Sequence, residues 1–135
     1  MRTINKIIVH CTDTPEDRHV SVKDITQWHK EKGYNTIGYH YVIYLDGSVH
    51  AGRPVGKIGA HCKGHNAKSI GICYVGGKDK QGKPGDTRTP EQKQALVELL
   101  KKLKVKYPSA KVYGHRDFAA RDCPCFDAKA EYEEL

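Results

Sequence analysis

The sequence predicts an α/β fold, a single mixed β-sheet of about five strands flanked by helices. Short β-branched and aromatic runs alternate along the chain with helix-like segments, an order that is typical of layered α/β domains. Two of the runs are joined by Asp46-Gly47, a tight-turn dipeptide that indicates an antiparallel hairpin. A length of 135 residues corresponds to one domain, so residues 1–135 are expected to form a single unit.

Several segments have the composition of β-strands. They are 7–9, 38–45, 48–52, 69–75 and 111–113. The first, Ile7-Ile8-Val9, is β-branched without interruption, which favours a strand buried on both faces. Within the second, strict alternation of side chains would place Tyr39 and Tyr41 on the same face of the sheet.

Helices are predicted in three places. Ser21 has the position of an N-cap for a helix over 22–32. Thr89-Pro90 begins a second helix. Its leucines recur at the spacing i, i+3, i+4, i+7 of a face that packs on a sheet, and it ends before the next proline. Residues 126–135 are expected to form a short acidic helix.

Two long segments have no regular pattern. Residues 53–68 contain several glycines, two histidines and Asn66. A loop of this length suggests a function, because long structureless loops are uncommon in small domains. Residues 78–88 are rich in Lys, Gly and Asp; we expect them to be solvated and to carry no chemistry.

The composition narrows the class of protein. A formal net charge of +7 favours a polyanionic partner such as nucleic acid, an anionic lipid surface or the bacterial cell wall, and a solvated basic surface explains it equally well. A nucleic-acid partner is not expected, since no basic helix or aromatic RNA platform is recognisable. No apolar run approaches the about 20 residues of a membrane span. The N-terminus lacks a signal-peptide pattern, which predicts cytoplasmic synthesis.

Histidines and cysteines supply candidate metal ligands. The five cysteines cannot all pair as disulfides, and cytoplasmic synthesis favours free or metal-bound thiols. His115 and Cys123 follow one predicted strand and His10 follows another; two imidazoles and a thiolate would bind zinc and leave a fourth position for water. Spacing alone does not select this set, because eight histidines and five cysteines allow many triples. Cys11 and Cys125 would instead complete a closed, Cys-rich site.

An ordered series of short blocks resembles a known family. The blocks are Val9-His10-Cys11-Thr12, Gln27-Trp28-His29-Lys30, Gly38-Tyr39-His40, Asp46-Gly47, Gly52-Arg53, Gly59-Ala60-His61, Asn66, Ser69-Ile70-Gly71, and Cys123-Pro124 with Phe126-Asp127. In this order they resemble the zinc-dependent N-acetylmuramoyl-L-alanine amidases of type 2, most closely the amidase-type lysozymes of T-odd phages. Animal peptidoglycan-recognition proteins share the fold of that family.

The resemblance implies a reaction and a metal site. The reaction is hydrolysis of the amide bond between the lactyl group of N-acetylmuramic acid and L-alanine of the stem peptide, in peptidoglycan or muropeptides. The family's ligands correspond to His10, His115 and Cys123, which would bind one Zn²⁺ with water as the fourth ligand. His29 and His40 are expected to make structural hydrogen bonds.

The same resemblance implies further site residues. Tyr39 matches the family's active-site tyrosine, and Arg121 occupies the place of its catalytic lysine. Because arginine stays charged and presents a planar fork, Arg121 is expected to stabilise an oxyanion rather than to transfer a proton. His61 and Asn66 are expected to line the groove and to hold peptide or sugar.

Other functions stay open at this point. A non-catalytic peptidoglycan-recognition module would keep the fold, but such relatives typically lack the ligand cysteine that is present here as Cys123. A phage or prophage endolysin that reaches the wall after lysis or through a holin-like hole is favoured, and a cytoplasmic amidase that recycles muropeptides is the alternative. A phage relative also binds RNA polymerase, so that partner is considered by family analogy. A monomer is expected.

Overall fold

The computed structural model describes residues 2–135 and contains a five-stranded mixed sheet with helices on both faces, as predicted. The elements are β1 Lys6–Cys11, β2 Thr14–Pro15, α1 Val22–Glu31, β3 Tyr41–Ile43, β4 Val49–Ala51, β5 Ser69–Tyr74, β6 Gly77–Lys78, α2 Pro90–Lys106, β7 Lys111–Gly114 and α3 Ala128–Glu131. The order in the main sheet is β4-β3-β5-β1-β7, and β2 pairs with β6 in a separate ladder. Only β3 and β4 are antiparallel within the main sheet, which confirms the predicted hairpin.

The centre of the sheet explains where the candidate site lies. Strand β1 runs parallel to both β5 and β7, and Ile7, Ile8 and Val9 are fully buried. Val9 is in register with Gly114 of β7. Parallel strands end at the same edge of a sheet, so the residues that follow these two positions emerge side by side.

The helices cover the sheet from its two sides. On one face, Leu96 and Leu100 of α2 are fully buried and belong to the same cluster as Ile7 and Val9. Full burial of such a side chain contributes about 1.5–3 kcal/mol. On the other face, Ile25 of α1 belongs to a second, smaller cluster. The leucine face of α2 and the buried strand β1 thus belong to one hydrophobic core.

Capping signals place both long helices correctly. Ser21 accepts a hydrogen bond from the N–H of Asp24, and α1 ends at Glu31, one residue before the predicted end. At the start of α2 the Thr89 hydroxyl accepts from the N–H of Gln92 at 3.0 Å, and the Gln92 side chain accepts from Thr89 N–H at 2.9 Å. The Gln92 amide also donates to the Val75 carbonyl at 2.9 Å, which ties the helix start to the sheet.

The strand predicted over 38–45 is shorter than expected. Regular pairing is limited to Tyr41–Ile43, and the preceding residues cross close to the 53–68 loop. A Cβ on Gly38 would collide with the Ala60 carbonyl. The consecutive N–H groups of Gly52 and Arg53 donate to the carbonyls of His40 and Tyr39, which departs from a regular antiparallel ladder. The alternation prediction was therefore wrong: Tyr39 packs with the α1 cluster, whereas Tyr41 packs with the α2 cluster.

The prediction that 78–88 is solvated holds for residues 80–84, which are exposed, and was wrong at Arg88. Arg88 is 6% exposed, and its guanidinium lies 3.4 Å over the Phe126 ring. It donates to both carboxylate oxygens of Asp86, to both of Glu131 (all four at 2.9 Å) and to the Tyr132 hydroxyl at 2.7 Å. These five residues are called the Arg88 cluster.

The C-terminal helix is shorter than the expected 126–135, because α3 is a single turn, Ala128–Glu131. Two of its neighbours in the chain, Phe126 and Tyr132, are nevertheless buried. Because a one-turn helix has little stability of its own, we infer that contacts within the Arg88 cluster hold this end of the chain in place. Among residues 2–135, no helix is long and apolar enough to cross a membrane.

Candidate active site

Three potential ligands converge at the carboxyl edge of the sheet. His10 is the penultimate residue of β1, and His115 follows β7 directly. The ligand atoms of His10, His115 and Cys123 all lie within 4.8 Å of one another. These are the three residues that the sequence predicts as a metal site. The sheet joins two of them, and the third comes from the loop after β7.

Main-chain contacts hold Cys123 in place. The N–H of Arg116 donates to the Cys123 carbonyl at 2.8 Å, and the Tyr74 hydroxyl donates to the Pro124 carbonyl at 2.6 Å. A Cβ on Gly114 would lie 2.8 Å from Pro124 Cδ, so glycine is needed for the loop to fold back on β7. The loop is therefore held at Cys123 and at the proline that follows it.

The electrostatics of the cluster favour a metal ion. Burial, followed by the neighbouring imidazoles, holds the pKa of His10 well below its usual value. Burial and the nearby Arg121 charge lower the pKa of His115. Both rings are consequently neutral at pH 7 and keep a lone pair for a ligand. The main-chain N–H of Cys11 donates to Cys123 Sγ at 3.2 Å, which suits a thiolate. Two nitrogens and one sulfur fit Zn²⁺.

Two further thiols lie nearby but outside this group. Cys11 Sγ and Cys125 Sγ are 4.0 Å apart, and the Cys125 thiol donates to the Gly77 carbonyl. Contact with Cys123, together with burial, raises the pKa of Cys11, and burial raises that of Cys125 to about 12. Both thiols stay protonated at pH 7, and the geometry favours the three-ligand set over a closed, Cys-rich site.

A cleft of about 720 Å³ is lined by one of the three ligands, His115, and by all four other predicted site residues. They are Tyr39, His61, Asn66 and Arg121. The Tyr39 ring centre is 5.0 Å from that of His10. Burial raises the pKa of Tyr39 well above its usual value, so its hydroxyl keeps its proton. Arg121 is exposed on the cleft wall.

His61 and Asn66 also have partners within the protein. The Asn66 side-chain oxygen accepts from the N–H groups of His61 and Cys62, both at 2.9 Å. His61 Nδ1 lies 2.9 Å from His10 Nε2, and its Nε2 lies 3.1 Å from the Ser69 hydroxyl. Contact with substrate stays a prediction for both residues. The link to His10 is a feature that the sequence did not reveal.

Structural hydrogen bonds are confirmed for two other histidines. His29 Nδ1 accepts from the N–H of Gly38 at 2.8 Å, and His40 Nδ1 accepts from the N–H of Gly71 at 3.0 Å. Neither belongs to the group of converging ligands. Sequence reasoning missed several other residues that line the cleft. They are Lys32, Tyr34, Lys63 and Phe118. The length and glycine content of the 53–68 loop are the only signal that pointed to any of them.

Comparisons with known proteins agree with this geometry. The family model described as N-acetylmuramoyl-L-alanine amidase matches residues 1–126. The endolysin of Klebsiella phage KP32 is 46% identical over 130 residues, covering 96% of this chain and 86% of that protein. The endolysin of Escherichia phage T7 is 45% identical over 128 residues, covering 95% and 85% respectively.

Solved structures show the same fold. The N-acetylmuramoyl-L-alanine amidase LysC from Clostridium intestinale URNW superposes with a TM-score of 0.83 at 30% identity, covering 97% of this chain and 83% of that one. Drosophila PGRP-LB superposes with a TM-score of 0.82 at 26% identity, covering 100% and 83%. The chain thus belongs to the N-acetylmuramoyl-L-alanine amidase family, and its activity is that of a peptidoglycan amidase.

Proposed function

We propose that the chain is a zinc-dependent endolysin that cleaves the amide bond between the lactyl group of N-acetylmuramic acid and L-alanine of the stem peptide. The observation that carries the proposal is the convergence of His10, His115 and Cys123 next to a cleft that His115 lines. Tyr39 and Arg121 line its walls. The endolysin role is supported by the phage relatives, which match over nearly the whole chain.

The proposed metal is one Zn²⁺, held by His10, His115 and Cys123 with water as the fourth ligand. Zinc, when bound, supplies Lewis acidity that polarises a carbonyl group and lowers the pKa of water. The protein contributes two neutral imidazoles and a sulfur that accepts a main-chain hydrogen bond, from the N–H of Cys11. His10 is buried, whereas His115 and Cys123 are partly exposed.

The other residues act on charge that develops during hydrolysis. A tetrahedral oxyanion forms from the substrate carbonyl, and preorganised donors aimed at it contribute most to acyl-transfer catalysis. Tyr39 can donate because its hydroxyl stays protonated. Arg121 can stabilise the negative charge but is a poor proton donor or acceptor, since guanidinium does not deprotonate at physiological pH.

Peptidoglycan or muropeptides are the proposed substrates. A solved structure of a point mutant of Drosophila PGRP-LB is a complex with tracheal cytotoxin, and that protein is 26% identical to this chain. By this likeness, His61 and Asn66 are proposed to line the part of the cleft that receives sugar or peptide. We propose that the enzyme acts as a monomer and reaches the wall after lysis or holin-mediated release. Binding to RNA polymerase stays a prediction by analogy.

The test compares zinc content with release of stem peptide from purified peptidoglycan. The native chain should contain one zinc and release peptide. Cys123→Ser should lose both, while Cys125→Ser, two residues away and outside the ligand group, should keep both. Native protein with zinc but no released peptide would favour a recognition module. Undiminished activity in Cys123→Ser would refute the ligand assignment.

A second arm separates the two enzymatic roles. Intact sacculi and soluble anhydro-muropeptides are supplied at equal concentrations of cleavable bonds. An endolysin should cleave sacculi efficiently. Cleavage of the soluble muropeptides alone would instead assign the chain to recycling.

A further inference from the structure

His61 contacts the proposed ligand His10 and is itself almost fully buried, at 8% exposure. Its Nδ1 is 2.9 Å from His10 Nε2, and the two rings meet edge to face, with centres 4.9 Å apart. Its other nitrogen, Nε2, is 3.1 Å from the hydroxyl of the fully buried Ser69. Both ring nitrogens of His61 are therefore engaged within the protein.

The orientation of the His61 ring is fixed by its surroundings. A Cβ on Gly71 would lie 2.6 Å from His61 Cγ, and a Cβ on Gly59 would lie 2.8 Å from its Cδ2. Two glycines thus provide the space that the ring fills. The Asn66 side chain holds the main chain of His61 by accepting its N–H at 2.9 Å. A ring clamped on its faces and at its backbone has little freedom to choose other partners.

A metal bound to Nδ1 of His10 would leave one consistent arrangement of protons on the two rings. A neutral imidazole carries one proton and one lone pair. With Nε2 of His10 engaged by His61, Nδ1 is the nitrogen of His10 that remains for a metal, and Nε2 must carry the proton. His61 then has to accept at Nδ1 and donate from Nε2 to the Ser69 hydroxyl.

We propose that His61 is a positioning residue for the metal ligand His10: its Nδ1 accepts a hydrogen bond from His10 Nε2–H and so leaves Nδ1 of His10 to bind the metal. The proposal rests on the zinc site of the proposed function. Partners of this kind fix the tautomer and the ring orientation of metal-ligating histidines. The Ser69 hydroxyl in turn accepts a hydrogen bond from His61 Nε2–H.

This role differs measurably from contact with substrate. Loss of an outer partner of a metal ligand typically lowers metal affinity by about 10- to 100-fold. Loss of a substrate contact would instead raise KM and leave metal affinity unchanged. The two roles therefore separate in measurements made without any substrate.

The first experiment uses the native chain, labelled with ¹⁵N-histidine and loaded with zinc. Long-range ¹H–¹⁵N NMR reports which ring nitrogen of each histidine carries a proton. We expect His61 to be protonated on Nε2 and bare on Nδ1, and His10 to be protonated on Nε2. A proton on His61 Nδ1 would overturn the proposal.

The second experiment measures zinc affinity by competition with a chelating dye, together with KM and kcat. His61→Phe keeps a ring but removes the acceptor, and zinc affinity should fall about 10- to 100-fold. His61→Asn restores an acceptor near Nδ1 and should recover part of that loss. His40→Asn, at a neighbouring buried histidine that is not a member of the ligand group, should bind zinc as the native chain does.

Each outcome identifies which proposal fails. A native zinc affinity in His61→Phe with a raised KM would show that His61 contacts substrate. An equal loss of zinc affinity in His40→Asn would show that the effect of His61→Phe comes from general packing. Both results overturn the positioning role and leave the zinc site intact. Absence of zinc from the native chain would refute the metal site itself. If His61→Phe does not fold, the NMR result on the native chain decides.

Discussion

The candidate metal site and the Arg88 cluster are both groups of converging polar side chains, and they differ in which groups converge. In the Arg88 cluster a cation meets two carboxylates, a hydroxyl and an aromatic face, so each charge has a partner. The candidate metal site gathers three lone-pair donors, from His10, His115 and Cys123. Hydrogen bonds reach it from His61 and from the N–H of Cys11.

This difference separates a structural role from a functional one. A polar network whose members satisfy one another stabilises one conformation of the chain. Lone-pair donors that converge can bind a cation from solution, and the free energy of that binding adds to stability. Changes at the candidate metal site should therefore alter activity and zinc-dependent stability, whereas changes in the Arg88 cluster should alter stability with or without zinc.

Removal of zinc should give the largest effect. Lewis-acid stabilisation of a transition state amounts to several kcal/mol, so a chelator should lower the rate of stem-peptide release by about 10³-fold or more. Added zinc should restore it. Free zinc at 1,000 times its Kd should also raise the free energy of unfolding by about 4 kcal/mol.

The Arg88→Ala variant is the control for this prediction. Its free energy of unfolding in urea should rise by the same increment on zinc addition, because the cluster and the candidate metal site are independent. An increment that disappears in Arg88→Ala would show that the two regions are coupled.

Loss of the Arg121 charge should have the next largest effect. Removal of one donor to an oxyanion typically lowers kcat by about 10²- to 10³-fold, so Arg121→Ala should approach this range, with zinc affinity unchanged. Arg121→Lys should retain much of the activity if charge alone suffices. Arg116→Ala removes an exposed arginine from the same segment and should have little effect on kcat. An unaltered kcat in Arg121→Ala would exclude a catalytic role.

Sequence patterns predicted where the two candidate histidine ligands lie, because each of them is placed by the end of a strand. The β-branched run before His10 and the short strand before His115 indicate two strand ends, and parallel pairing brings such ends together. The choice of the triple His10, His115 and Cys123 came from family resemblance, because spacing allowed many triples. The sequence therefore predicted the residues that follow strand ends and the residues that belong to the family's motifs.

Contacts between residues far apart in sequence explain what was missed. Arg88 lies in a segment of Lys, Gly and Asp, and its partner Glu131 is 43 positions away. His61 lies 51 positions from His10. Tyr39 was assigned to the wrong face because the close passage of Gly38 and Ala60 interrupts the strand. Local composition carries no signal for any of these three arrangements.

Arg88→Ala should reduce stability and leave the chemistry intact. Removing one partner of a buried ion pair typically costs about 3–5 kcal/mol. The Asp86 and Glu131 side chains are 32% and 44% exposed and can regain water, so we expect about 2–3 kcal/mol. Urea unfolding of the zinc-free protein at pH 7 measures this.

A surface ion pair serves as the matched control for Arg88. Lys80 and Asp17 are 3.5 Å apart, with side chains 67% and 77% exposed. Lys80→Ala should change the free energy of unfolding by less than about 1 kcal/mol. Loss of zinc affinity in Arg88→Ala, under conditions where the fold persists, would contradict the separation of the two regions.

The smallest expected effect is a pH dependence within the Arg88 cluster. Hydrogen bonds from Arg88 hold the pKa of Glu131 below its ordinary value of 4.5. The unfolded chain therefore binds a proton at this carboxyl more readily than the folded chain does. The resulting stabilisation is complete above pH 4.5 and is lost as the pH falls through the lower, folded pKa.

Comparison of native protein with Glu131→Gln isolates this contribution. The difference in free energy of unfolding should be below about 1 kcal/mol at pH 7, because the carboxylate is partly exposed and screened. It should shrink as the pH is lowered below 4.5. Glu133→Gln, at an exposed neighbouring position, controls for the loss of one negative charge. A difference that is constant with pH would mean that Arg88 is held by Asp86 and Tyr132, and that Glu131 contributes packing alone.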